Sequence, residues 1–284
     1  MKKISSSQLF RNRKGSGTPW NSAPSAESGG RRFRKASLVA RSLLGAAALV
    51  IVFPATALAD PPSALPGNAS DAERAFQPAL DYDKDGCYPT PAIGPDGTVA
   101  PGLRLGGDMN GHCRDESDLD NTNSYSRQKC NNGWCAIMYT LYFEKDQASL
   151  GGGSAGHRHD WEHVVVWVKD DQVQYLSTSA HGGFHTYDRS GIIFDGKHPK
   201  AVYHKDGGMT HCFRPANSGD EQVENHKGTW QYPTLVGWDG YPAGIRDKLS
   251  QADFGKATFG IKDSEFNSNL AKAKPADIPF DPYA

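Results

Sequence analysis

Apolar and polar positions along the chain predict a protein built mainly from β-strands. Residues 134–143 are apolar at odd and even positions alike and rich in aromatic side chains, which is typical of a buried strand. A second apolar run covers 161–168, and the segment 173–176 follows it after the turn-like pair Asp170 and Asp171. These two segments therefore predict a hairpin.

A second hairpin and short helices complete the predicted elements. Segments 200–204 and 210–213 flank Asp206, Gly207 and Gly208, which are residue types that favour a tight turn. Short helices are predicted at 71–77, 243–249 and 264–272. Together these elements predict a mainly β fold class, a single-domain β-sandwich with peripheral short helices.

The first 59 residues have the features of an export signal. Basic residues precede an apolar run at 43–53, and Ala57 and Ala59 bracket a small-residue cleavage site. The run is shorter than the about 20 residues that span a bilayer, which argues against the alternative of a single anchor helix. We therefore expect a secretion signal with a long basic segment over 1–59, a β-sandwich domain over 60–284, and a secreted, extracellular protein.

The charge balance narrows the class of partners. The 284 residues include 31 lysines and arginines and 32 aspartates and glutamates, for a formal net charge of −1. This balance gives no positive field to attract a phosphate backbone, so we expect no nucleic-acid partner.

Export would make the five cysteines available for disulfides. Cys130 and Cys135 would close a tight loop, and Cys87 with Cys113 would close a longer loop rich in glycine and proline. Cys212 would then be a free thiol, unless the pairing differs. The chain has no C-x-x-C pattern, which disfavours a structural zinc site as the alternative.

An acidic stretch opens like a calcium loop. Asp81, Asp83 and Asp85 follow the pattern D-x-D-x-D-G, but position twelve of an EF-hand needs an acidic ligand and here is Ala92. An EF-hand is therefore excluded. The three aspartates remain candidates for a looser calcium site, with a solvated acidic turn as the alternative.

The densest group of ionisable side chains is the heptapeptide GHRHDWE at 156–162. If the strand at 161–168 extends back by one residue, Asp160 and Glu162 point to the same face with Cα atoms about 6.6 Å apart. Two carboxylates at that spacing repel each other, and burying them unpaired is costly. A divalent cation would remove both problems.

Two further side chains complete the predicted metal site. His157 lies just before the strand, and Asp146 lies at the far end of the polar loop that precedes it. A set of oxygens with one imidazole suits calcium or magnesium, with manganese as a further candidate, better than structural zinc. Arg158 and His159 are expected to brace the turn or pair with carboxylates. The alternative is a surface salt-bridge cluster without a metal.

Four enzyme classes have motifs or residue types that can be compared with this stretch. The G-x-S-x-G match at 152–156 is no nucleophile elbow, because a loop precedes the serine and a strand follows it. The H-E-x-x-H pattern of zinc proteases does not occur in the sequence. His157, His159 and Glu162 resemble the cupin metal motif with a shorter gap, which keeps a cupin-like metal enzyme acting on a glycan or lipid as an alternative. A glycosidase has no further support.

The heptapeptide also resembles a known family. Gly156–Glu162 reads as the GHRHDWE motif of the necrosis- and ethylene-inducing-like proteins, the NLP cytolysins of plant-associated microbes. Further similar segments are 81–87, 130–139, 143–146 and 259–263. The resemblance covers nearly all of 72–270 and is to the second type within the family, which has an extra cysteine pair and an acidic loop.

The resemblance implies a fold and a site. The fold would be a β-sandwich similar to actinoporin toxins, with a divalent cation at its pole. Asp146 and Asp160 would be direct ligands, while His157 and Glu162 would act directly or through water. His181 and His211 would be further cavity residues, as the neighbouring sequence resembles the family there.

The resemblance also implies an activity without covalent chemistry, so we expect no enzyme. Family members bind the sugar head groups of plant sphingolipids, the glycosyl inositol phosphoryl ceramides, and then damage the plasma membrane. We therefore expect a cytolytic virulence factor that is a monomer before it binds a membrane and that makes peripheral membrane contact. A non-toxic secreted elicitor on the same fold is the remaining alternative.

Overall fold

Two β-sheets form the framework of the protein in a computed structural model that describes residues 60–152 and 155–284. The secretion signal expected over 1–59 lies outside these residues. Within the described part of the chain the strands are β1 (Ala79–Tyr82), β2 (Asn123–Asn131), β3 (Trp134–Gln147), β4 (Gly156–Lys169), β5 (Gln172–Ala180), β6 (Gly183–Asp188), β7 (Phe194–Asp195), β8 (His198–Lys205), β9 (His211–Pro215) and β10 (Thr234–Gly237). The helices are α1 (Asp71–Ala75), α2 (Ile245–Gln251) and α3 (Phe266–Ala273).

The larger sheet has the strand order β10-β2-β3-β4-β5-β6, and the smaller sheet joins β1, β7 and β9 to β8. All pairs are antiparallel except β10 with β2 and β1 with β8. Both hairpins expected from the sequence are present, because β4 pairs with β5 and β8 pairs with β9. The mainly β, two-sheet fold expected from the sequence is therefore confirmed.

The larger sheet is covered on both faces, since residues of β4 alternate between two apolar clusters. Val164 and Val166 pack against the smaller sheet together with residues such as Tyr203. Val165 and Trp167 pack on the opposite face against α2, α3 and the C-terminal segment. This double burial explains why β4 reads as a continuous apolar run. It also holds β4 rigidly between two layers.

The tight turns follow from residues that accept a left-handed backbone. Asn132 and Gly133 have φ of 50° and 77° and join β2 to β3, and the Cys130–Cys135 disulfide closes the same hairpin. Asp170 and Asp171 have φ of 51° and 57° and join β4 to β5. Two consecutive positive φ angles match the right-handed twist of a hairpin, so these turns fix the strand register.

The structure corrects the strand boundaries. The apolar pattern ended one strand at residue 143 and started the next at 161, whereas β3 continues to Gln147 and β4 begins at Gly156. The added residues are charged or polar, yet Glu144, Lys145 and Asp146 are buried. An apolar pattern cannot detect such a segment. The predicted helices are present with shifted ends, and no helix among the described residues is both long and apolar enough to cross a membrane.

Candidate functional site

The site is built where the end of β3 pairs with the start of β4. The antiparallel register places Asp146 opposite His157 and Phe143 opposite Asp160. Gly156 makes this close pairing possible, because its φ is 143° and a Cβ there would lie 2.4 Å from the carbonyl oxygen of Asp146. The glycine of the heptapeptide thus sets the distance between the two strands.

Asp146 is held by hydrogen bonds from His211, the first residue of β9 in the smaller sheet. The main-chain N–H of His211 donates to Asp146 Oδ2 at 2.9 Å, and the His211 ring lies 2.7 Å from Asp146 Oδ1 through Nδ1. Burial lowers the pKa of His211, but the hydrogen bond to Asp146 and the charges of nearby aspartates outweigh it, so the pKa is raised overall. His211 is therefore set to carry the proton that orients the Asp146 carboxylate.

Asp160 and Glu162 are buried carboxylates on the face of β4 that meets the smaller sheet. The Tyr203 hydroxyl donates to Asp160 Oδ2 at 3.1 Å, and the Ser179 hydroxyl donates to Glu162. Burial, followed by the charge of Asp146, raises the pKa of Asp160 well above its usual range. Burial, followed by the charge of Asp160, does the same for Glu162. Within the described residues neither carboxylate has a lysine or arginine at salt-bridge distance.

His157 faces this acidic group with one ring nitrogen committed elsewhere. Its Nδ1 lies 2.7 Å from the His159 carbonyl oxygen, so Nδ1 carries the hydrogen and Nε2 keeps its lone pair. Asp146, His157 and Asp160 each offer a ligand atom within 4.8 Å of the others. Two carboxylates, an imidazole lone pair and the adjacent Glu162 form a donor set that fits a divalent cation such as calcium or magnesium.

The donor set opens into a cavity of about 300 Å³. That volume lies at the lower end of the range for small-molecule sites. Besides the donor residues, the side chains that line the cavity include His163, Ser179, His181, Phe184, Lys256 and Lys272. The cavity therefore combines acidic donors, two ammonium groups and an aromatic side chain.

The other two candidate residues of the heptapeptide, Arg158 and His159, are not part of the donor set. Arg158 is exposed. His159 has φ of 59°, and its Nδ1 lies 2.6 Å from the Tyr142 hydroxyl while its ring packs against Phe254. His159 thus packs against the apolar cluster of Tyr142 and Phe254, away from the carboxylates of Asp160 and Glu162.

The two histidines suggested by the resemblance occupy different places. His211 contacts Asp146 directly, and its Nε2 lies 3.5 Å from Asp85 Oδ1. His181 lines the cavity, but its Nε2 lies 3.0 Å from Asp206 Oδ2, so its charge partner is outside the donor set.

The acidic stretch near the N-terminus of the domain does not form one ligand group. Asp81 is buried, and its carboxylate accepts hydrogen bonds from the main-chain N–H groups of Glu224 and Asn225. Among the described residues, Asp81, Asp83 and Asp85 do not bring three ligand atoms within 4.8 Å of one another. Asp81 therefore ties the chain to the segment at 224–225, because its lone pairs are used in main-chain hydrogen bonds.

Sequence reasoning missed the residues that reach the site from other strands. Tyr203 and Ser179 contact the carboxylates from β8 and β5, and Lys256 and Lys272 line the cavity from the C-terminal region. No spacing along the chain links these residues to the heptapeptide. The one local signal is the position of Ser179, two residues before His181 at the end of β5.

The cysteine predictions are confirmed. Cys87 is bonded to Cys113 and Cys130 to Cys135, while Cys212 is a buried free thiol. Cys87–Cys113 joins the acidic stretch to the loop before β2, and therefore restrains a long segment without regular structure.

Comparisons with known proteins agree on one family. The profile described as Necrosis inducing protein (NPP1) matches residues 70–273. NLP effector protein 10 of Phytophthora capsici is 35% identical over 204 residues, which is 70% of this chain and 80% of that protein.

Two solved structures show the same fold. NLPPya in complex with glucosamine has a TM-score of 0.63 at 32% identity, covering 75% of this chain and 96% of that one. The non-toxic HaNLP3 protein has a TM-score of 0.64 at 28% identity, covering 76% and 99%.

Proposed function

Because the chain belongs to the Necrosis inducing protein (NPP1) family, we propose that it is a secreted cytolysin that binds a glycolipid head group at the Asp146 cavity. Membership of this family supports the role of a necrosis-inducing virulence effector. We further propose which head group the protein binds and how it binds it. The head group would be that of a glycosyl inositol phosphoryl ceramide, and a divalent cation would hold it before the membrane leaks.

The observation that carries this proposal is the buried acidic set, in which His211 pairs with Asp146 but neither Asp160 nor Glu162 has a lysine or arginine partner among the described residues. Asp146, Asp160 and Glu162 lie under a sugar-sized cavity, and burial together with mutual repulsion raises the pKa of the latter two. Such a set is unfavourable for stability alone, because the carboxylates of Asp160 and Glu162 would lose hydration without gaining a counter-ion. A site that exists to hold a cation explains why the cost is tolerated.

The residues of the chain would share the binding task. Asp146, Asp160 and His157 would hold the ion, with Glu162 beside them and His211 fixing the orientation of Asp146. A bound divalent cation would offer sugar hydroxyl and phosphate oxygens a hard centre that accepts them in place of water. Lys256 and Lys272 line the same cavity and would attract the phosphate of the head group.

Exposed apolar side chains at the same end of the sheet support membrane contact. Leu150 is 72% exposed in the loop between β3 and β4, and Met209 is 55% exposed in the turn between β8 and β9. Both segments start from strand ends that carry site residues, Asp146 and His211. Docking of the cavity onto a head group would bring these two side chains towards the lipid interface, which suits shallow peripheral contact.

A leakage assay tests the proposal. Dye-loaded vesicles that contain glycosyl inositol phosphoryl ceramide should leak on addition of the protein and calcium or magnesium, while vesicles without that lipid should not. A chelator should suppress leakage, and Asp160→Ala should abolish it while the protein stays folded. Lysis that continues undiminished in chelator would contradict the role of the cation.

Two other functions give different results in the same experiment. A cupin-like enzyme would release a product from the glycan or lipid with turnover, whereas the proposed binding is stoichiometric and saturable. A non-toxic elicitor would bind the head group without leakage. One similar solved structure is that of a protein described as non-toxic, HaNLP3.

A further inference from the structure

A second group of metal-ligating side chains lies beside the cavity, between the turn after β5 and the β8–β9 hairpin. His181, Asp206 and Cys212 each offer one ligand atom, and these atoms all lie within 4.8 Å of one another. The closest approach is 3.0 Å, between His181 Nε2 and Asp206 Oδ2. Three different ligand chemistries, imidazole, carboxylate and thiol, thus converge on one point.

His204 contacts one member of this group, Cys212. The antiparallel register of β8 and β9 puts His204 directly opposite Cys212, so the two side chains share a face of the hairpin. His204 Nε2 lies 3.7 Å from Cys212 Sγ. The three-residue group therefore has a second imidazole beside its thiol, although His204 lies outside the 4.8 Å set itself.

The surroundings of Cys212 exclude its other usual roles. The remaining four cysteines form two disulfides with one another, so Cys212 has no partner for a bridge within the chain. The thiol is 3% exposed, and burial raises its pKa to about 12, so it is not a thiolate nucleophile at neutral pH. Packing alone would explain a buried cysteine but not two imidazoles and a carboxylate around it.

We propose that Cys212, His181, Asp206 and His204 form a binding site for a zinc-class divalent cation, separate from the oxygen-rich set at Asp146. Sulfur and imidazole donors suit zinc, whereas calcium and magnesium take oxygen. On binding, the S–H bond of Cys212 breaks, a sulfur–metal bond forms, and the proton is released to solvent.

The geometry requires little rearrangement. Tetrahedral zinc with ligands at its usual distances separates the ligand atoms by about 3.3–3.8 Å. The ligand atoms of His181, Asp206 and Cys212 lie within 4.8 Å of one another and need shifts on the order of 1 Å to reach that spacing. The exposed turn with His181 and the exposed hairpin tip with Asp206 can provide them.

A bound ion would tie the turn that carries His181 to the hairpin that carries Thr210, and both residues line the cavity. The site would then hold one side of the cavity rim in place. The proposal does not depend on the glycolipid function, because it concerns ligands outside the Asp146 set.

Cobalt binding tests the proposal directly. The chain with both disulfides intact is stripped with chelator, returned to chelator-free buffer and titrated with Co²⁺. We expect a saturable near-ultraviolet charge-transfer band from cobalt–thiolate bonding, and Zn²⁺ should displace it. Cys212→Ser should remove the band. Asp206→Asn, at an exposed turn position, should weaken cobalt binding by about tenfold or more.

Asp160→Asn is the matched control, because it alters only the oxygen-rich set and should leave the band unchanged. Cobalt that binds without the band, a band that survives Cys212→Ser, or an unchanged affinity in Asp206→Asn would each overturn the proposal. Should Cys212→Ser fail to fold, the Asp206→Asn titration decides the question alone.

Discussion

At Gly156 the main chain of β4 passes so close to β3 that a single methyl group would not fit. A Cβ there would lie 2.4 Å from the Asp146 carbonyl oxygen, and the φ of 143° disfavours any other residue. Because Asp146 and His157 are paired at this point, the glycine controls the spacing of two candidate ligands. Its place in the heptapeptide is therefore a geometric requirement of the site.

Gly156→Ala should lose cation affinity and some stability. We expect a cost of about 2 kcal/mol from backbone strain and displacement of the Asp146 carbonyl. Thermal unfolding and calorimetric titration with calcium or magnesium measure both effects. Gly191→Ala is the control, since a Cβ there meets no atom within 4 Å, and its stability should change by less than about 0.5 kcal/mol. Equal behaviour of the two variants would refute the role of Gly156.

Asp160→Asn should separate binding from stability. The substitution replaces a carboxyl group whose pKa is raised by burial and by the charge of Asp146. Because the amide cannot ionise in this buried place, the variant in chelator should be at least as stable as the parent chain. Its affinity for a divalent cation should fall by about tenfold or more, because a ligand is lost. A variant that melts earlier in chelator would instead show that Asp160 is needed for folding.

Glu144 gives the stability of the chain a defined pH dependence. Burial, then the charges of Asp118 and Asp115, raises the pKa of Glu144 to about 8. A carboxyl with a raised folded-state pKa contributes stability that is greatest below its unfolded pKa and is lost as pH rises through the folded value.

In chelator, the free energy of unfolding should therefore fall by about 2 kcal/mol through this group between about pH 6.5 and about pH 8.5. Glu144→Gln should flatten that part of the profile, as measured by urea unfolding at a series of pH values. An unchanged slope in the variant would mean that Glu144 is not buried as a neutral acid. Below this window the buried His163, whose pKa burial lowers to about 4, changes stability in the opposite direction.

The two disulfides close loops of different length. Cys87 and Cys113 are 26 positions apart, while Cys130 and Cys135 are 5 positions apart and close a hairpin that its own turn already favours. Replacing the first pair by alanine should cost about 3.5 kcal/mol and the second about 2 kcal/mol, because the longer loop gains more freedom on unfolding. Denaturant unfolding of the two double variants checks the order, and a larger cost for the short loop would contradict it.

The presence of the main strands could be predicted from the sequence, whereas the residues at which these strands begin and end could not. The apolar runs of β3 and β4 identified both strands, and the turn residues identified both hairpins. The pattern failed at 144–147 and 156–160, where polar and charged side chains replace the apolar run although Glu144, Lys145, Asp146 and Asp160 are buried. The partners Tyr203 and Ser179 come from distant segments, and only tertiary structure brings them to the carboxylates.

At the scale of the described domain, the smaller sheet, the larger sheet and the C-terminal region each supply part of one site. The smaller sheet brings His211 and Tyr203, the larger sheet brings the acidic donors, and the C-terminal region brings Lys256 and Lys272. Rigid backing on both faces of β4 keeps the donors close despite their repulsion. The exposed apolar residues Leu150 and Met209 lie at the same end of the larger sheet, so a bound head group and a membrane interface would meet the protein together.

Titration of the stripped chain with glucosamine tests the central claim most directly, because a similar structure contains that sugar. Calorimetry should show saturable glucosamine binding in the presence of calcium or magnesium, little binding in chelator, and none for Asp160→Asn with the cation present. Glucosamine binding that is equally strong in chelator, or that Asp160→Asn retains, would contradict a cation-held sugar site at Asp146, His157, Asp160 and Glu162.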